Sequence, residues 1–239
     1  MKILAIDSSG LVASVAIIED DNMLAEYTVN YKKTHSQTLL PMLDEIGKMI
    51  DLDLQTIDAI AVAAGPGSFT GLRIGSATAK GLGLALNKPL VSIPTVDGLA
   101  FNLYGTDKLI CPLMDARRNQ VYTGIYEFEG KEFKVVEKQM AVSVQEIVEK
   151  LNKYGREVIF LGDGVPVYAE KIAEMITVSY SYAPAHVNKQ RGAAVGTLAR
   201  AYIEAGMLES AEEHQPDYLR LSQAERERAQ QEEAAKEND

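Results

Sequence analysis

Residues 64–86 read AGPGSFTGLRIGSATAKGLGLAL, with six glycines in 23 positions. Two structures could explain such a stretch: a loop that wraps phosphate with backbone amides, or a helix whose small side chains admit a close neighbour. A P-loop needs a glycine, four residues, then Gly-Lys-Ser/Thr. Here Gly71 is followed by Leu72 and Arg73, and Lys80 sits between Ala79 and Gly81, so that pattern fails. The dinucleotide pattern G-x-G-x-x-G fails as well, because Thr70 stands at its third glycine. A helix fits better. Gly71, Gly75, Ala79 and Gly83 recur every fourth residue and share one side. Each internal glycine costs roughly 1 kcal/mol against alanine, so close packing has to offset it. Leu72, Ile74, Leu82, Leu84 and Leu86 make most of the rest apolar, with Arg73, Ser76 and Lys80 on a narrow polar strip. A helix of this kind is buried on two sides. One side covers its own sheet; the spacing alone leaves open whether a partner or the same domain covers the other. The GPGSFTG turn also offers free amides to an anion at the helix N-terminus.

Outward from this stretch, IDAIAVAAG reads as a buried strand before the helix and KPLVSIP as a strand after it, followed by a short helix over 96–103. Upstream, MKILAIDSS, LVASVAIIED and MLAEYTVNY form three strands joined by turns, which implies an antiparallel meander. HSQTLLPMLDEIGKMI places Leu39, Met42, Leu43, Ile46, Met49 and Ile50 on one helical face. Pro41 is expected to kink that helix or mark its start. Downstream the pattern restarts. LICPLMD, QVYTGIYEF and EFKVVEKQM are strand-like, and helix VSVQEIVEKL, strand EVIFLG and helix PVYAEKIAEMI follow, with a further helix over 191–206. The element order thus predicts two related α/β halves with a boundary near Gly105.

The 239 residues suffice for one large domain or two smaller ones, and 46% hydrophobic content supports a sizeable core. A formal net charge of −10 disfavours a stand-alone nucleic-acid binder. Cys111 is the only cysteine, so neither an intramolecular disulfide nor a thiolate metal cage can form. His35, His186 and His214 have no ligand spacing, and Ser68 and Ser76 have no partners at triad spacing, which argues against a metal cluster and a serine hydrolase. The chain opens without a basic n-region and has no apolar run of the ~20 residues needed to span a membrane, so a cytoplasmic protein is expected.

ILAIDSS, HSQTLLPMLDEI, the 64–86 stretch, PLMDARRNQVY and PDYLR, in that order, resemble the TsaB (YeaZ) family, bacterial partners in making threonylcarbamoyladenosine on tRNA. The likeness runs from Met1 to Leu221. It implies a two-lobed actin and sugar-kinase-like fold. Residues 1–104 would be the partner-binding half, 105–221 the second half with a late helix packing back between the halves, and 222–239 a disordered charged tail. It also implies a non-catalytic subunit that binds and activates a TsaD-type transferase, with a TsaE-type ATPase in the pathway and tRNA contacted only within the complex. In the family the first two helices pack against a partner, or a second copy, as a four-helix bundle. The partner interface would then include His35, Leu39, Leu43, Gly71, Arg73, Gly75, Ser76, Ala79, Lys80 and Gly83, so the resemblance turns the glycine stripe toward a partner.

The paralogous transferase holds a metal with H-x-x-x-H. The matching PTVDGLA has Thr95 and Leu99 at the histidine positions, so no metal is expected. Asp7, Ser8 and Ser9 match a phosphate loop in vestigial form, and Ala116, Arg117 and Arg118 stand where the second loop wants glycine. No tightly bound cofactor is expected, with ATP or ADP bound weakly or at the partner interface. Two rival readings are a small-molecule kinase or ATPase of the same fold and a direct tRNA-binding module.

Overall fold

The computed structural model describes residues 1–31 and 35–219. The tail over 222–239 lies outside the described residues. The first sheet contains β1 (Lys2–Asp7), β2 (Ala13–Glu19), β3 (Asn22–Val29), β4 (Ala59–Gly65) and β5 (Leu90–Pro94), in the order β3-β2-β1-β4-β5. The meander is antiparallel, and β1, β4 and β5 run parallel. The second sheet contains β6 (Leu109–Asp115), β7 (Gln120–Glu129), β8 (Glu132–Ser143), β9 (Val158–Leu161) and β10 (Tyr180–Tyr182), in the order β10-β9-β6-β7-β8. This is the same arrangement strand for strand. The helices α1 (Leu39–Met49), α2 (Phe69–Leu86) and α3 (Thr95–Phe101) of the first half match α4 (Val144–Tyr154), α5 (Val165–Met175) and α6 (Gly192–Glu204) of the second. The restart read from the sequence is real, and the short β10 is the element it lacked.

Periodicity explains the helices. Leu39, Met42, Leu43 and Ile46 are the buried residues of α1, and each contributes roughly 1.5–3 kcal/mol relative to exposure. Pro41 does not break this helix. It is the third helical residue, within the first turn, where its missing N–H has no intrahelical partner to lose. Ser68 caps α2 by accepting from the Gly71 amide at 3.3 Å, and Asn87 ends it in the left-handed region at φ 53°.

Helices α1 and α2 cover one face of the first sheet, and α4 and α5 one face of the second. The third helices are exchanged in role. Helix α6 does not remain with the second half: Val195, Leu198 and Ala199 fill the other face of the first sheet against Ile3, Ala5, Val91 and Ile93. Its N-terminus is fastened there by Glu26 on β3, whose carboxylate accepts from the Ala193 amide at 3.0 Å and from Arg191 Nε at 3.1 Å. Helix α3 sits between the halves, packing Val96, Leu99 and Ala100 against Ile110, Tyr126 and Leu161 of the second. Beyond α6, the chain returns along the first half as a strap. Glu209 and Leu90 exchange two main-chain hydrogen bonds, and the Asp217 amide donates to the Ala64 carbonyl at 2.7 Å. The strap covers the β5 edge, which would otherwise present unpaired main-chain groups.

Candidate functional site

Strand β1 ends in Asp7, Ser8 and Ser9, all buried. Asp7 Oδ1 accepts from the Ser9 amide at 2.9 Å and from Ser9 Oγ at 2.6 Å. Burial pushes the Asp7 carboxyl up to about 6, against the opposing pull of those two bonds. Ser8 Oγ donates to the Gly71 carbonyl at 2.9 Å, and the Ser68 amide donates to the Ser9 carbonyl at 2.6 Å. The turn after β1 is therefore bound to the start of α2.

That contact accounts for the glycine stripe and corrects its expected direction. A Cβ at Gly71 would overlap the Ser8 carbonyl, one at Gly75 the Ser8 hydroxyl, and one at Gly83 the side chains of Leu90 and Ala211. Ala79 and Ser76 are buried on the same inward side. The small residues admit the chain's own turn and strap. Leu39 and Leu43 are likewise in the core of the first half. Lys80 Nζ donates to the strap carbonyls of Glu212 at 3.0 Å and His214 at 2.9 Å. His35 is half-buried, its Nε2 donating to the Gly10 carbonyl at 2.8 Å. Of the ten interface candidates only Arg73 is exposed, lying over the Phe69 ring at 4.0 Å while its Nε donates to Tyr218 Oη at 3.4 Å. The outward face of α2 instead carries Arg73, Ala77, Gly81 and Leu84. A Cβ at Gly81, or at Gly47 on α1, would meet nothing within 4 Å. A groove of ≈ 470 Å³ is lined by Leu40, Leu43, Asp44, Gly47 and Lys48 of α1, Asp51, Leu52 and Leu54 of the segment after it, and Leu82 of α2.

A second concavity, of ≈ 490 Å³, separates the halves. Ser9, Gly10, His35, Gly67, Ser68 and Phe69 line it from one side, and Met114, Asp115, Ala116, Arg117, Tyr122 and Asp163 from the other. Asp115 forms an Asx turn, its Oδ1 accepting from the Arg117 amide at 2.9 Å, and also accepts from Tyr168 Oη at 3.0 Å. Asp163 accepts from the Asp115 amide at 3.1 Å, and burial raises its carboxyl above the ordinary range. Arg117, Arg118 and Asn119 have φ of 61°, 56° and 58°. The hairpin keeps the backbone that glycine would favour, at roughly 1–2 kcal/mol per residue, while carrying long side chains. Pro166 lies in the first turn of α5, where its missing N–H has no intrahelical partner to lose.

Thr95 and Leu99 are fully buried. Among the described residues, no group of three His, Cys, Asp or Glu side chains is placed to hold a metal ion. One cluster had no sequence signal: Ser92 Oγ and a Glu209 carboxylate oxygen both meet His214 Nδ1, at 3.0 and 2.8 Å. A nucleophile and an orienting acid must engage opposite ring nitrogens, so sharing Nδ1 gives no triad. His214 is buried and helps to anchor the strap. No helix among the described residues is long and apolar enough to cross a membrane.

A family model described as "TsaD: tRNA N6-adenosine threonylcarbamoyltransferase" matches residues 22–228. The chain is 34% identical over 227 residues to the "tRNA threonylcarbamoyladenosine biosynthesis protein TsaB" of Bacillus subtilis, covering 94% of this chain and 96% of that protein. The chain belongs to the TsaB family. The TsaB protein of Escherichia coli is 33% identical over 168 residues, 69% of this chain and 72% of the relative. The solved "YeaZ from Pseudomonas aeruginosa" superposes with a TM-score of 0.79 at 25% identity, covering 91% of this chain and 99% of that one. A 2-hydroxyisocaproyl-CoA dehydratase activator from Clostridium difficile, solved with bound ADPNP, superposes with a TM-score of 0.50 at 10% identity over 86% of this chain and 97% of that one. That distant likeness concerns the fold alone: the chain shares a two-lobed α/β architecture with that activator.

Proposed function

We propose that this TsaB-family chain is a non-catalytic subunit of the machinery that makes threonylcarbamoyladenosine on tRNA. In this reading it binds and activates a TsaD-type transferase, works alongside a TsaE-type ATPase, and meets tRNA only within the complex. Its similarity to tRNA threonylcarbamoyladenosine biosynthesis proteins supports the pathway. The observation that carries the role is the outward face of α1 and α2. Beside it lies an apolar groove lined by Leu40, Leu43, Leu52, Leu54 and Leu82, and a Cβ at Gly47 in that groove, or at Gly81 on α2, would meet nothing within 4 Å. Two helices presenting such a groove suit two helices of a partner or of a second copy. The interface assignment thus moves to the opposite side of α2 from the glycine stripe.

The cleft favours a second reading, a kinase or ATPase of the same fold, because Asp115, Asp163 and Arg117 line it. Its walls fit a nucleoside triphosphate poorly. Asp7 is buried and turned to Ser9, and the α2 entry turn occupies the space beside Ser9, where a Cβ at Gly67 would overlap the Ser9 carbonyl. ATP or ADP, if bound, is held weakly or together with the partner.

Reconstitution from threonine, bicarbonate, ATP and tRNA, with modified adenosine measured by mass spectrometry, tests the proposal. Modification is expected only when this chain and a TsaD-type transferase are both present. Full modification without this chain, or turnover of ATP by this chain alone with loss in Asp7→Ala, would overturn it.

A further inference from the structure

Helix α3 carries one carboxylate, Asp97, between the buried Thr95 and Leu99, and it is itself only 5% exposed. Asp97 Oδ1 accepts from Tyr126 Oη at 2.7 Å, and its Oδ2 accepts from Tyr202 Oη at 2.9 Å. Tyr126 stands on β7 of the second sheet, and Tyr202 on α6, which is packed on the first. One carboxylate therefore joins two phenols that belong to opposite halves. We propose that Asp97 is an interlobe latch, which fixes the angle between the two sheets and with it the width of the cleft.

A buried carboxylate is tolerated only when its oxygens are hydrogen-bonded. Here each oxygen is bound from a different half, so separating the halves strips one carboxylate oxygen of its donor. The surroundings strengthen both bonds. Tyr126 stacks on Phe133 at 5.4 Å between centroids, and Phe128 and Phe101 close the site, giving a dry, low-dielectric sheath. Burial first, then the Asp97 charge, raises both phenols above their ordinary range, so both remain donors at neutral pH. The latch is also joined to the cleft. Met114 and Tyr122 pack with Tyr126 in one apolar cluster, and both line the cleft wall. A rotation that breaks the latch therefore moves that wall as part of the second sheet.

Tyr126→Phe and Tyr202→Phe each remove one hydroxyl and keep the ring, so the packing survives. Hydrogen–deuterium exchange by mass spectrometry on the full chain reads the cleft at residues 67–70 and 114–117, with β1 and β4 as the internal reference. The double variant is expected to exchange threefold or more faster at the cleft residues, with the reference strands unchanged. Asp97→Asn, which keeps one acceptor oxygen, is expected to restore part of the protection lost in Asp97→Ala. Cleft exchange less than threefold faster in the double variant, or equal acceleration in β1 and β4, overturns the latch and leaves the trio as packing. Should the double variant fail to fold, Tyr202→Phe alone is read by the same criterion, since Tyr202 is the half-buried member.

Discussion

Ser8 donates its hydroxyl hydrogen to the main-chain carbonyl of Gly71 at 2.9 Å, tying the turn after β1 to the first turn of α2. A methyl group at position 71 would collide with the Ser8 carbonyl, which belongs to the backbone and cannot rotate away. Gly71→Ala is therefore expected to lower the unfolding free energy by about 1–3 kcal/mol, the usual cost of overpacking. Gly81→Ala meets nothing within 4 Å and is expected to raise it by about 0.5–1 kcal/mol through helix propensity. Urea denaturation followed by circular dichroism compares the two. A Gly71→Ala midpoint at the wild-type value would show that the turn yields.

The outward face of α2 gives the complementary expectation. Ala77→Glu or Leu84→Glu places a charge on an exposed position and leaves the core untouched. Burying that charge in a helix–helix interface is unfavourable, so association with a TsaD-type partner and with a second copy should weaken at least tenfold. The circular dichroism spectrum should not change. Gly75→Leu, on the inward face, should instead unfold the protein, because its side chain would enter the Ser8 hydroxyl. Light scattering and calorimetry on the folded variants decide this. Wild-type assembly by Ala77→Glu and Leu84→Glu would remove this face as the contact surface.

These two helix faces mark where sequence reasoning stopped. The two-half architecture was legible, because strand and helix periods repeat in order and short turns separate them. Helix α1 was legible in its buried face of Leu39, Met42, Leu43 and Ile46, whereas Met49, read onto the same face, is exposed and Ile50 lies beyond the helix end. On α2, four-residue spacing announced that something approaches closely but carried no information on what. The nearest objects are Ser8, 63 positions upstream of Gly71, and Ala211, far downstream of Gly83. The strap was illegible for the same reason, since His214 meets Ser92 across 122 positions and Lys80 across 134. Asp97 carries no local pattern that ties it to Tyr126 or Tyr202, which lie 29 and 105 positions downstream.

Cys111 offers a simple check on the second core. It is fully buried on β6 beside Thr123, and burial pushes its thiol up to about 12. The reactive thiolate is therefore scarce at pH 8, and reagent access is blocked as well. A chromogenic disulfide reagent is expected to titrate no thiol in the native chain and one thiol per chain in denaturant. Rapid reaction without denaturant would show that the second sheet opens readily.

The buried Asp7 sets a pH dependence whose sign is opposite to that of a salt-bridged carboxylate. Its pKa is raised from 3.8 to about 6 in the folded chain, chiefly by loss of solvent. Below the unfolded value both states hold the proton, and the group imposes no penalty. As pH rises toward about 6, the unfolded chain releases the proton while the folded chain retains it, so stability falls. Above that range both are ionised and the loss, about 2–3 kcal/mol, is complete. Asp97 and Asp163 are shifted in the same direction, so wild type alone cannot isolate Asp7. The difference between wild type and Asp7→Asn does isolate it, because Asn keeps the oxygen that accepts from the Ser9 amide and hydroxyl. The variant is expected to differ little from wild type at pH 4 and to be more stable by about 2–3 kcal/mol at pH 8. Urea denaturation at the two pH values measures this. An advantage at pH 8 no larger than at pH 4 would mean that the carboxylate is solvated in the folded chain, and the turn after β1 would then be open to the cleft.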